Sequence, residues 1–153
     1  MRRRPFLAAA GLAVLAVAGG AGVWRALAGD APALSADAAA AQARAGQIAI
    51  LDVRSPAEWR ETGVPQEAKA VTIHDPRGMA GFVAAAKRAV GGDLTRPVAT
   101  ICHSGQRSTV AADALAAAGF TRVYNIREGM AGNAVDGAGW LARGLPVESC
   151  ERC

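Results

Sequence analysis

Within six consecutive residues, Cys102-His103-Ser104-Gly105-Gln106-Arg107, the chain gathers a sulfur nucleophile, an imidazole, a hydroxyl and a guanidinium around one glycine. A thiolate is a strong nucleophile, and arginine grips oxyanions with two parallel N–H bonds. The combination describes a reactive cysteine in a cradle for anions. A small buried cysteine at a strand end would need neither the polar neighbours nor the arginine. Before the loop, Pro97-Val-Ala-Thr-Ile101 is an apolar run of strand length. After it, Ser108 to Ala118 is alanine-rich and closed by Gly119, as a helix is. Strand, tight loop and helix then aim a helix N-terminus back at Cys102. Free amides and the positive dipole end favour an anion there, whether a thiolate or a bound oxyanion. Cys102 is thus the candidate nucleophile. His103, Ser104, Gly105, Gln106, Arg107 and Ser108 are the candidate substrate-binding residues. Two plainer roles stay open: Arg107 as a salt bridge at a helix start, and Ser108 as a first-turn cap.

Other segments supply the frame. Ser35 or Asp37 caps a helix running to Ala45 and ended by Gly46. Ile48 to Val53 has too few polar positions for a solvated face and reads as a buried parallel strand. Ser55-Pro56-Ala57-Glu58 is a capping box with proline at the first helical position, opening a short helix to about Glu61. Ala70 to Ile73 is a second strand, Gly78 to Val90 a helix, and Arg122 to Ile126 a further strand. Residues 130–139 read as an irregular excursion, and Trp140 to Val147 as a short helix and turn covering the core. Alternating strands and helices predict an α/β domain whose central parallel sheet, of about five short strands, carries helices on both faces. Such sheets bind ligands beyond the carboxyl ends of their strands, where the Cys102 loop falls.

The 153 residues suffice for one domain with a proper core. The net charge of +4 is concentrated at the start, in Arg2, Arg3, Arg4 and Arg25. Without them basic and acidic residues balance, so the domain has no basic character that would suggest nucleic acid. Residues 1–28 read as a signal peptide or an N-terminal membrane anchor: arginines, an uncharged run from Phe6 to Trp24, then Ala26-Leu27-Ala28. Arg3-Arg4-Pro5-Phe6-Leu7 is similar to a twin-arginine export signal. Either alternative predicts an exported domain, periplasmic or anchored to the inner membrane and facing the periplasm. Contact with the membrane would be only through an uncleaved N-terminal segment. Residues 29–34 are a linker, 35–148 the domain and 149–153 a Cys-x-x-Cys tail. Cys150 and Cys153 form a disulfide, a redox pair or half of a zinc site, and leave Cys102 free. His74 and His103 lack ligand spacing to that pair. No metal is expected. No Cys-x-x-Cys-His and no Gly-x-Gly-x-x-Gly after a strand is present, so neither haem nor flavin is expected.

Leu34 to Val147 resembles a single-domain rhodanese, a sulfurtransferase. The resemblance rests on Leu51-Asp52-Val53-Arg54 followed by Ser-Pro-Ala-Glu-Trp59, on Cys102 to Ser108, and on Ala117-Ala-Gly-Phe120. It is extended by Val123-Tyr-Asn-Ile126, Glu128-Gly-Met130, and Trp140 with Gly144-Leu-Pro-Val147. It implies a rhodanese-like fold and transfer of a sulfane sulfur from a small anionic donor such as thiosulfate, through a Cys102 persulfide. The acceptor would be a thiol, cyanide or a protein. It further implies that Asp52 and Arg54 brace the active loop. Where many members carry a Gly-His-Ile turn, this chain has Gly63-Val64-Pro65, and Ala131 to Gly139 intervenes before Trp140. Those departures leave a non-catalytic binding, sulfur-carrying or redox-sensing module as the alternative. A cysteine phosphatase or arsenate reductase fits less well. Those enzymes set five residues between cysteine and arginine, and here four separate Cys102 from Arg107.

Overall fold

Three short apolar runs and the segment Ala68-Lys69-Ala70, each too brief for a stable helix, build the central sheet. The computed structural model describes residues 31–153. The segment read as a signal or anchor, residues 1–28, lies outside them. In chain order the central strands are β1 (Ala49–Asp52), β3 (Ala68–Ala70), β4 (Val98–Ile101) and β5 (Val123–Ile126). All are parallel and lie in the order β3-β1-β4-β5. Two small antiparallel pairs flank them: β2 (Val64–Pro65) with β8 (Val147–Glu148), and β6 (Gly132–Asn133) with β7 (Gly137–Ala138).

The sheet has four strands, not the expected five or so. At the place beside β5, Ala33 makes a single bridge to Asn125. Leu34 N–H donates to Asn125 O and Asn125 N–H donates to Pro32 O, but proline has no amide to extend the ladder, and Ser35 already caps the next helix. The second strand also falls earlier than the apolar run at 70–73 suggests. Val71 and Ile73 still donate to Asp52 O and Val53 O, following β1 past the regular ladder, and Val71 is buried.

Four helices cover the sheet: α1 (Ala36–Arg44), α2 (Pro56–Thr62), α3 (Gly78–Ala89) and α4 (Gln106–Ala117). The two-residue period of the strands divides the core. Ala49, Leu51, Val53, Val98 and Cys102 pack with Phe82 and Ala86 of α3 and with Ala111, Ala112 and Leu115 of α4. Ile48, Ile50, Ala99 and Ile101 face the other way, onto Ala36, Ala39, Ala40 and Ala43 of α1 and onto Trp140. Alanine at every buried α1 position lets that helix lie close against the strands. Helices therefore sit on both faces, and Cys102 emerges at the carboxyl end of β4.

One ion pair is sealed into this frame. Asp52 is 0% and Arg54 1% exposed. Arg54 Nη2 donates to Asp52 Oδ2 at 2.7 Å and to Gly63 O at 2.6 Å, while Nη1 donates to Thr62 Oγ1 at 2.6 Å and to Glu58 O at 3.3 Å. The guanidinium thereby ties the end of β1 to α2, from its first turn to its C-cap. Removing one partner of a buried pair strands the other charge. Asp52→Ala should cost about 3–5 kcal/mol in urea unfolding. A loss below about 1 kcal/mol, the range of exposed pairs, would show that the pair is not load-sharing.

Candidate active site

The loop closes where β4 ends. Gly105 stands at the N-cap of α4 with φ of 95°, and its amide donates to Cys102 Sγ at 3.1 Å. That left-handed turn folds the chain back so that an amide points at the sulfur. No side chain fits there: a Cβ on Gly105 would lie 2.3 Å from Arg127 O. The residue behind is equally constrained. Gly129 has φ of 65°, and a Cβ on it would meet His103 O at 2.5 Å. Met130 and Ala131 amides donate to Cys102 O and His103 O, both at 2.9 Å. Asn133 Nδ2 donates to Arg127 O at 2.9 Å and Ser104 O at 3.3 Å. The stretch after β5, read from sequence as irregular, is thus a second loop that supports the first.

The candidate residues take distinct places around this turn. Cys102 is 1% exposed, with its sulfur side packed in the α3–α4 half of the core. His103 is exposed, its Nδ1 4.0 Å from Glu58 Oε1. Ser104, Gly105 and Gln106 help line a cleft of about 360 Å³, with Arg127, Asn133 and Val135 opposite; Cys102 is not among its walls. Ser108 is buried, and its hydroxyl gives its one proton to Gly105 O at 2.9 Å. Its own carbonyl accepts from Thr100 Oγ1 at 2.9 Å. Ser108 therefore ties the turn to β4. Asp52 and Arg54 bond to each other and to α2 rather than to the loop itself. Trp59 and Trp140 are buried in the core. Cys150 and Cys153 are bonded to each other in the tail, where Arg60 Nη1 donates to Cys153 O at 2.6 Å. Among the described residues no cluster of His, Cys, Asp and Glu could hold a metal ion, and no helix is long and apolar enough to cross a membrane.

Glu58 is the site residue that the sequence reading assigned only to a cap. It completes the expected capping box, with Oε2 accepting from the Ser55 amide at 3.0 Å and Ser55 Oγ at 2.8 Å. The same carboxylate spans to the active loop. Arg107 Nη1 donates to Oε2 at 2.7 Å and Nη2 donates to Oε1 at 2.6 Å. Arg107 is the first cause that holds the Glu58 carboxyl far below its ordinary value of 4.5, against an opposing burial effect. Glu58 in turn holds the Arg107 guanidinium more firmly charged, with smaller contributions from Cys102 and Asp52. A signal for this long-range role is absent from the local motif, because the partners stand 49 positions apart.

Two measurements check this geometry. Gly105→Ala places a Cβ against a carbonyl in a left-handed turn and should cost about 1–3 kcal/mol of stability; wild-type stability would mean that the turn adapts. The ion pair has a pH signature. A carboxylate with a depressed folded pKa contributes stability fully above its unfolded value, here near 4.5, and loses it as pH falls towards the folded value. Arg107→Gln should therefore lower stability at pH 7 and converge on wild type on acidification well below 4.5. A constant difference across that range would assign the loss to packing instead.

The rhodanese-like domain family matches residues 35–134 of the chain. Rv0390 from M. tuberculosis, known from its crystal structure, is 30% identical; the match covers 80% of this chain and all of that one, with a TM-score of 0.63. The polysulfide-sulfur transferase of Wolinella succinogenes is 27% identical over 80% of this chain and 82% of its own, with a TM-score of 0.61. An uncharacterized protein of Rickettsia prowazekii is 29% identical over 99 residues, 63% of this chain and 80% of that one. Sheet order, the cysteine at the end of β4 and the family match agree: the chain belongs to the rhodanese-like domain family.

Proposed function

We propose that the protein is a sulfurtransferase that carries a sulfane sulfur on Cys102. The observation that carries this reading is the Gly105 amide aimed at Cys102 Sγ at 3.1 Å, at the start of a helix whose free amides stabilise negative charge. An anionic sulfur chain on Cys102 would occupy the same field. The likeness to a polysulfide-sulfur transferase supports the assignment.

The chemistry is two displacements. The Cys102 thiolate attacks the sulfane sulfur of a donor. A new S–S bond forms to Cys102, the donor's own bond to that sulfur breaks, and its electron pair leaves with the donor remnant. Thiosulfate would release sulfite; a persulfide would release a thiolate. An acceptor thiolate or cyanide then attacks the outer sulfur of the persulfide, and the electron pair of the broken S–S bond returns to Cys102 as the thiolate. No net oxidation occurs and no cofactor is required. Cys102 is 1% exposed, so a donor sulfur reaches it only when the groups around it move aside.

Intact mass after incubation with a sulfane donor tests the reading. The wild type should gain one sulfur atom that cyanide removes, and Cys102→Ser should gain none. A wild type that stays unmodified with thiosulfate and with an alkyl persulfide would leave a non-catalytic module as the better reading.

A further inference from the structure

We infer that Glu58 is a specificity-determining residue, which occupies Arg107 so that the site prefers sulfane donors without an oxyanion head, such as alkyl persulfides, over thiosulfate. The inference takes its donor class from the sulfurtransferase reading above.

An arginine binds a sulfonate-like head through a pair of parallel N–H bonds, and the fork of its two terminal nitrogens is one of the two edges that offer such a pair. In this structure both nitrogens already donate to the two oxygens of Glu58, at 2.7 and 2.6 Å. The carboxylate is itself fixed, since Ser55 gives it an amide and a hydroxyl bond from the capping box. Helix α2, which carries it, is held in turn by Arg54 through Glu58 O, Thr62 Oγ1 and Gly63 O. Arg107 thus faces an internal carboxylate that needs no diffusion to arrive. A tethered ligand competes at an effective concentration of millimolar or more. Free thiosulfate has to displace it from that fork or approach the Nε edge beside it, and on either route the incoming dianion meets a fixed carboxylate that already neutralises the guanidinium. An alkyl persulfide asks nothing of Arg107. Its terminal sulfur has only to reach Cys102, and the departing thiolate carries one charge.

Other charged groups near Arg107 do not replace Glu58. His103 Nδ1 is 4.0 Å from Glu58 Oε1, beyond hydrogen-bond length, and lies on the exposed side. Asp52 is fully engaged by Arg54. The strong depression of the Glu58 carboxyl means that it stays charged throughout the neutral and mildly acidic range. The device is therefore a fixed selectivity element and not a pH switch.

The test separates binding from turnover. In the Cys102→Ser background, where no sulfur can transfer, thiosulfate affinity is measured by calorimetry with and without Glu58→Gln. Glutamine keeps the capping box but surrenders the charge, so the helix should persist. Freeing the guanidinium should tighten thiosulfate by at least about tenfold. Adding Arg107→Gln should abolish the gain, as expected for two residues acting as one unit. With Cys102 intact, Glu58→Gln should lower KM for thiosulfate more than it changes kcat, and should raise the ratio of thiosulfate to 2-hydroxyethyl persulfide loading by about tenfold. Equal thiosulfate affinity with and without Glu58→Gln overturns the inference, as does a gain that survives loss of Arg107. A uniform gain with both donors also overturns it, because Glu58 would then be a general barrier. Should affinity rise as expected while no donor loads Cys102 in any variant, the Glu58 clamp stands and the sulfurtransferase reading falls.

Discussion

The buried Asp52–Arg54 pair is the constraint on which the site depends. Placing both charges out of water costs several kcal/mol per ion, and their attraction recovers that only with good geometry and further hydrogen bonds. The fold provides both. Asp52 ends β1, and Arg54 fans out from it to Glu58 O in the first turn of α2, Thr62 Oγ1 at its end and Gly63 O at its C-cap. A well-packed apolar pair could fill the same volume at no loss of stability. It could not set the pitch of a seven-residue helix that is too short to hold itself. The energetic return on this pair is position: it fixes where α2 lies, and α2 fixes where Glu58 lies.

A second constraint acts from behind. The active loop turns tightly because Gly105 adopts a conformation that other residues avoid, and the carbonyls that the turn would strand are taken up by the segment after β5. Cys102 O and His103 O receive the Met130 and Ala131 amides, and Ser104 O receives Asn133 Nδ2. Trp140 then closes the rear of this second loop, with its amide on Gly129 O and its indole N–H on Pro146 O. The loop is thereby held on two sides by groups that cannot relax independently. That rigidity lets one amide hydrogen stay on the sulfur without a side-chain donor.

What could be read in advance follows the range of the interactions. The Ser55–Glu58 capping box, the Ser35 cap and the alternation that divides Leu51 from Ile50 are local or periodic, and each leaves its mark within a few residues. The loop around Cys102 was legible for the same reason, because strand, glycine and helix are contiguous. Asn133 was not: its amide serves carbonyls at Ser104 and Arg127, and nothing in a stretch of glycine and alanine announces a target 29 positions away. The parallel sheet flanked by helices was legible from the strand–helix alternation, whereas the single Ala33–Asn125 bridge beside β5 comes from a segment that reads as a linker. Glu58 is the instructive case. Its local motif explained it completely, and so concealed that the same carboxylate crosses to Arg107.

That double use gives the site its resting character. A nucleophile beside an unoccupied arginine would attract any small oxyanion, and sulfate or phosphate would compete for the cradle. With Glu58 in the fork of Arg107, the positive charge near Cys102 is still present to favour a sulfur anion, yet the end-on bidentate position is filled and faces a carboxylate. The two functions of an active-site arginine, field and grip, are thereby separated. The field acts through space and survives pairing in reduced form, whereas the end-on grip needs Nη1 and Nη2 together and is taken. A rhodanese-like loop with its arginine so engaged is built to stabilise charge on sulfur while declining to recognise the group that sulfur arrives on.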